Sequence, residues 1–447
     1  MPITITPRIV TLNTQVTAAP QPSTLQQSAA IISEGATTLT AGTYLYCATL
    51  AAVETVFVTP SAGNQAELLN MATTFFAQGN AVGLYILELG VMASGTAGVQ
   101  ALTTWLTDNP RVFYSFLVPA SWDSSQAGKE VASVVITNGG TGYTTAPTVT
   151  FTPPTTGTTA TGTANVANGI VISVTITNPG NGYTSPPTVT FSAPTSGTTA
   201  TGTADMVTPL ATLANSYASP SGMTYFFVMT TTATISDYAG IKSVITAVPA
   251  PAAASTEFTA AAFLYQWSVQ APSAVAPAAS MAYRQIYGCT PWPVSGQASA
   301  VQTVLSAYGN IAYSGVEGRL TGTYIFKGTT SDGVQAMFWY AVDWFQIQIQ
   351  QEMAAAIING SNSIPPIVYN QQGINTLRTV GQGAADKSVS FGLNLTATVT
   401  AQPFGSYTTQ NPANAAAGIY GGFAATVDPQ LGFLGIVFNI DAVQFAA

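Results

Sequence analysis

The stretch from Tyr324 to Ile358 constrains this chain more than any other. It opens with Tyr-Ile-Phe, passes a Ser-Asp-Gly turn and continues as a long run of helical periodicity. Phe338, Val342, Phe345, Ile349, Met353 and Ile357 recur at spacings of three and four, which predicts one apolar helix face about five turns long. Such a face must be covered, and it predicts the core of a domain. Trp339, Tyr340 and Trp344 lie off that stripe and put aromatic surface on a second face. Two explanations stay open at this point: a helix deep inside a large domain, or a helix that packs on another subunit with Trp339 and Tyr340 as its contacts.

The surrounding residues resemble the C-terminal half of contractile-tail sheath proteins. The resemblance is carried by Tyr324 to Phe326, the turn Thr330-Ser331-Asp332-Gly333, the triplet Val342-Asp343-Trp344 inside the long helix, and Ile364-Pro365 followed by Gly373-Ile374-Asn375-Thr376-Leu377. It spans roughly residues 297 to 400, with a weaker echo across 40 to 120. The chain departs from that family in being much poorer in charge. The resemblance implies a structural subunit with no catalytic site and no cofactor. It implies a helical polymer of the chain with itself around a tail tube protein, bounded by baseplate and tail terminator proteins, made in the host cytoplasm and resident in the virion. Terminal arms would join the C-terminal-domain sheets of neighbours, and contraction would move subunits nearly as rigid bodies.

Composition agrees with a packed subunit. Only 6% of the 447 residues are charged, against about 25% in ordinary domains, so the surface is built from Thr, Ser, Asn, Gln, Gly and Ala. A formal charge of −8 with nine scattered basic residues argues against nucleic-acid binding, which needs Lys and Arg clustered on one face. The chain has no histidine, which removes the usual triads and every imidazole-based zinc site. Cys47 and Cys289 sit among apolar neighbours and are expected as free buried thiols. No run of 18 apolar residues occurs to span a membrane, and no secretion signal opens the chain.

The expected fold class is α/β and α+β multidomain, a layered α/β sheath core carrying an inserted all-β tandem-repeat module. Residues 1–33 read as an extended N-terminal arm, in which Ile3, Ile5 and Ile9 alternate with polar residues. Residues 34–126 and 206–296 read as one discontinuous α/β domain: apolar strands near 43–49, 84–89 and 112–118 alternate with helices near 65–78 and 99–106, which implies a sheet covered on both faces. Residues 127–205 hold a repeat with a 40-residue period. Val134 to Tyr143 returns at Val174 to Tyr183, and Gly157 to Ala164 returns unchanged at Gly197 to Ala204. Residues 297–429 form the C-terminal domain, and 430–447 a second arm with Leu434, Ile436, Phe438 and Ile440 alternating as a strand. The two arms supply the candidate subunit contacts by strand addition.

Other chemistry is weakly signalled. Gly139, Gly140 and Gly142 lie in a β-repeat without a following helix, and Gly381-Gln382-Gly383 lacks a Lys-Ser/Thr, so both read as turns rather than phosphate loops. Asp332 with Asp343, or Asp343 with Glu352, have no spacing that builds a catalytic pair; Asp332 suits a helix cap. The rival reading is an adhesin in which Tyr143 and Tyr183 of the repeat contact glycan.

Overall fold

Short apolar runs separated by amphipathic helices set the first layer of the computed structural model, which describes residues 25–123 and 128–434. Strands β1 (Ala29–Ser33), β2 (Tyr44–Cys47), β3 (Leu84–Glu88) and β4 (Ser115–Leu117) alternate with helices α1 (Leu50–Glu54), α2 (Gln65–Phe76) and α3 (Gly95–Asp108). Thr49 and Ser94 start α1 and α3 by accepting from the N–H of Ala52 and Ala97, which satisfies an orphan donor of each first turn. Six strands follow: β5 (Glu130–Asn138), β6 (Val149–Phe151), β7 (Thr161–Ala167), β8 (Ile170–Asn178), β9 (Val189–Phe191) and β10 (Thr201–Val207). Then come α4 (Pro209–Asn215), β11 (Tyr225–Met229), β12 (Val244–Val248), α5 (Thr259–Ser268), β13 (Gln285–Ile286), α6 (Ala298–Ser306), β14 (Asn310–Ser314) and β15 (Thr323–Phe326). The chain closes with α7 (Ala336–Ser361), α8 (Gln371–Ser390), β16 (Asn394–Ala401), α9 (Phe404–Gln410), α10 (Pro412–Ala416) and β17 (Phe423–Pro429).

One large sheet organises the body, in the order β13-β15-β14-β12-β11-β4-β1-β3-β2. Its interior is parallel, and antiparallel strands close both edges: β2 on β3, β15 on β14 and β13 on β15. The strand period of two sends neighbouring residues to opposite faces. Ile31, Ile86, Leu117 and Phe227 join Phe75, Phe263, Trp267 and Tyr340 in one cluster. Ile32, Leu87, Phe116 and Phe226 join Leu102, Trp105 and Leu210 in another. Both faces are therefore covered, as a parallel sheet requires.

Two expectations are corrected by this sheet. Residues 29–33 are no part of an extended arm: β1 is fully buried between β3 and β4, with Ala30 opposite both Tyr85 and Phe116. Buried on both faces, it reads as Ala-Ala-Ile-Ile with no alternation, and so carries no period to recognise. The sheet also continues through β14 and β15, beyond the boundary expected at residue 296.

The repeat pairs across its two units. β5 of the first unit lies antiparallel to β10 of the second, β8 of the second to β7 of the first, and β6 to β9. Val131, Tyr143, Phe151, Val171, Tyr183 and Phe191 share one cluster between these pairs. Asn168 (φ 52) and Gly169 (φ 77) make the tight turn between β7 and β8, where positive φ at both positions matches the twist of a two-residue hairpin. Gly139, Gly140 and Gly142 occupy the β5–β6 connection, whereas Gly381 and Gly383 lie inside α8.

Helix α7 is covered on two sides. Ala336, Met337, Tyr340, Ala341, Trp344 and Ile347 enter the cluster beneath the large sheet, while Phe345 and Ile349 pack on Ala384 and Ala385 of α8 and on Val399 of β16. The expected stripe is thus only partly the buried face: Phe338, Val342 and Met353 are half-buried and Ile357 is exposed. A helix apolar on most sides does not reveal its core face by period alone.

Candidate functional site

One buried carboxylate joins the long helix to the sheet: Asp343, in the third turn of α7, is 0% exposed. Its Oδ2 accepts from the hydroxyls of Tyr114 and Tyr225, both at 2.8 Å. Tyr114 stands just before β4 and Tyr225 begins β11, so one carboxylate fastens α7 to the two middle strands of the sheet. Trp267 stacks on Tyr114 with centroids 5.7 Å apart, and Tyr340 meets Trp267 edge-on at 5.1 Å. Gln26 donates to the carbonyl of Tyr340 at 3.0 Å and to the Tyr114 hydroxyl at 3.3 Å, which ties the start of the described chain to the same cluster.

Lys242 faces this cluster from its rim. Its amine donates to the carbonyls of Ser219 and Gly222 and lies 4.5 Å from the ring centre of Trp339, a cation–π contact in a desolvated place. The Trp339 indole N–H in turn donates to Asp332 at 2.9 Å. Burial pushes the Asp343 carboxyl up from 3.8 to about 6, although Lys242 and the two phenols favour its charged form. Burial, and then the Asp343 charge, holds Tyr114 and Tyr225 well above the ordinary phenol value. Burial lowers Lys242, opposed by Asp343 and Asp332.

A carboxyl whose proton is bound more tightly in the folded chain than in the unfolded one gives a definite sign. Between about pH 4 and pH 6 the folded state holds a proton that the unfolded state has released, so stability falls as pH rises through that window. Glu67, pushed up to about 6 by burial, acts in the same direction. Urea midpoints of the wild type are expected to be lower near pH 7 than near pH 4.5, and Asp343→Asn is expected to flatten part of that slope. A midpoint that rises with pH, or a slope untouched by the substitution, would overturn this account.

The candidate contact residues divide. Tyr340 is 1% exposed and donates its hydroxyl to Gln270 O at 3.0 Å, so it is core of this chain and is not offered to a neighbour. Trp339 is half-buried beneath Lys242 and Asp332. Ile3, Ile5, Ile9, Ile436, Phe438 and Ile440 lie outside the described residues, and Leu434 is the last described residue. Asp332 does not cap α7, whose N-cap position is Gln335; it accepts instead from Thr330 Oγ1 and Val334 N in the preceding turn. Tyr143 and Tyr183 are 5% and 3% exposed, and their hydroxyls accept from Ala200 N and Ala160 N, so neither ring is presented to a sugar.

Sequence reasoning passed over Tyr114, Tyr225 and Lys242. No motif links residues more than a hundred positions apart, and the one available signal is an aspartate among the apolar residues of a long helix. It also passed over β17, a strand of small residues that pairs antiparallel with β16. These two form a sheet of their own, backed by α8, and among the described residues no third strand joins either edge.

No family model and no curated protein matches the chain. Among solved structures, a chain of the anti-feeding prophage baseplate is similar over 99% of this chain and 100% of its own length, with 10% identity and a TM-score of 0.54. A chain of the anti-feeding prophage helical sheath in its contracted state is similar over 98% and 100%, with 10% identity and a TM-score of 0.48. The sheath tail protein of Listeria innocua aligns over 84% and 88%, with 10% identity and a TM-score of 0.35. Over 99% of its length, then, this chain is similar in fold to a chain of the anti-feeding prophage baseplate.

Proposed function

We propose that this chain is the repeating subunit of a contractile tail sheath, a structural protein that polymerises around a tail tube and contracts by rigid-body rearrangement to drive the tube through a host envelope. The observation that carries this reading is the whole-length likeness of fold to a chain of the anti-feeding prophage baseplate. It stands beside the resemblance already read in Tyr324 to Leu377. In this reading the partners are further copies of the chain, the tube protein, and the baseplate and terminator at the two ends, with no nucleic acid. The subunit is assembled in the host cytoplasm and ends in the virion. No helix among the described residues is long and apolar enough to cross a membrane.

The parts take roles accordingly. Among the described residues β16 and β17 each keep one edge without a partner strand, on which arms from neighbouring copies can add. The strands from Glu130 to Val207 are read as an inserted module, because β4 and β11 on either side of them are adjacent parallel strands of one sheet. Insertion at a surface connection leaves such a sheet intact. The buried Asp343 cluster suits a body that must move without deforming.

Electron microscopy of the purified protein tests the reading: tubes or rings are expected, and discrete monomers at all concentrations would overturn it. Deleting residues 1–20 is expected to leave a folded monomer, with the wild-type circular dichroism spectrum, that no longer sediments as polymer. Normal tubes from the truncated chain would remove the N-terminal arm from the account.

A further inference from the structure

Beyond β17 the backbone is held rather than released. Gln430 N donates to Leu393 O at 2.8 Å. The side-chain amide of Gln335 then takes both groups of Gly432: Gln335 Nε2 donates to Gly432 O and Gly432 N donates to Gln335 Oε1, each at 2.9 Å. An amide side chain has both a donor and an acceptor, and here it pairs with a backbone as an adjacent strand would. Two residues on, the Tyr283 hydroxyl donates to Leu434 O at 2.6 Å.

Three local features fit this task. Gln335 occupies the N-cap position of α7, yet its side chain makes no capping bond. A Cβ on Gly432 would lie 2.5 Å from both Cβ and Oγ of Ser280, so the close approach depends on glycine. Tyr283 has φ +60, an uncommon conformation for a residue with a Cβ, and its N–H is bonded to Ile325 O of β15 at 2.9 Å. Meanwhile the apolar side chains of this segment face outward, with Leu431 51% and Phe433 83% exposed.

We propose that Gln335, Tyr283 and Ser280 form an exit clamp. It carries the chain away from its own β16–β17 sheet and fixes Gly432 and Leu434 beside the β13–β15 edge of the large sheet. In the sheath reading, the residues that follow, among them Ile436, Phe438 and Ile440, are the ones that join a second copy of this chain. The choice of partner rests on the sheath reading; the clamp itself rests on the bonds described.

The test combines Gln335→Met with Tyr283→Phe, which keeps side-chain size while removing three hydrogen bonds, and uses Gly432→Ala as an independent second variant. In the unassembled wild-type chain, chymotryptic cutting at Phe433 is expected to be slow; both variants are expected to be cut there about tenfold faster or more, with unchanged melting temperature. Assembly followed by light scattering is expected to slow by a similar factor. Unchanged cutting would overturn the clamp, and so would faster cutting with wild-type assembly. If the double variant fails to fold, Tyr283→Phe alone is judged by the same two rates. If the wild type forms no polymer at all, the sheath reading and the aim at a second copy fall together, while the cutting rates still decide whether the clamp exists.

Discussion

Asp343→Ala is expected to lower the unfolding free energy by about 3–5 kcal/mol, from two buried hydroxyls that lose their acceptor together. The change leaves the hydroxyls of Tyr114 and Tyr225 without their acceptor in a sealed core, and each unsatisfied buried group costs about 1–3 kcal/mol. It also takes away the charge that Lys242 faces. Asp343→Asn keeps one oxygen able to accept and is expected to cost less, about 1–2 kcal/mol. Urea unfolding of these variants beside Asp108→Ala, an exposed control on α3, decides the matter. If Asp343→Ala unfolds no earlier than the control, the carboxylate is not what fastens α7 to β4 and β11.

The second large effect concerns the repeat. Removing residues 128–167 deletes β5, β6 and β7, and each of them is the partner of a strand that remains. β10, β9 and β8 are then left with bare edges and half of a shared cluster, a condition that favours aggregation. Almost no soluble protein is expected from that deletion. Replacing residues 128–207 by a short Gly-Ser linker removes every partner together, and the remaining body is expected to be soluble with a melting temperature within a few degrees of wild type. Soluble yield and calorimetry on the two deletion variants test this; a stable single-unit variant would show that each unit closes by itself.

Much of the fold was legible because its signals are local. β3, α2 and α3, the twofold repeat and the long helix follow from periodicity and turn residues, and β11 from an apolar run of the right length. The misses arise where local pattern is silent. β1 has no alternation because both its faces are covered. The repeat units carry nearly the same sequence, so strand pairing within a unit and between units looks equally good until the connections are placed in space. Trp339 and Tyr340 look alike in the sequence, yet one turns under Lys242 and the other enters the core, because a helix wrapped on two sides offers no polar face to orient by. The Asp343 cluster gathers residues 114, 225, 242 and 343, which only the sheet topology brings together.

The position of β1 has a mechanical consequence. Anything that pulls on the chain ahead of Leu25 loads a strand inside the sheet, third from the β2 edge and flanked on both sides by parallel neighbours. Tension along such a strand shears two ladders at once, whereas an edge strand would peel one bond at a time. Gln26, bonded to the Tyr114 hydroxyl and to the α7 backbone, passes part of that load to the long helix before it reaches β1. A tether rooted there can transmit force into the whole body without first unravelling its rim.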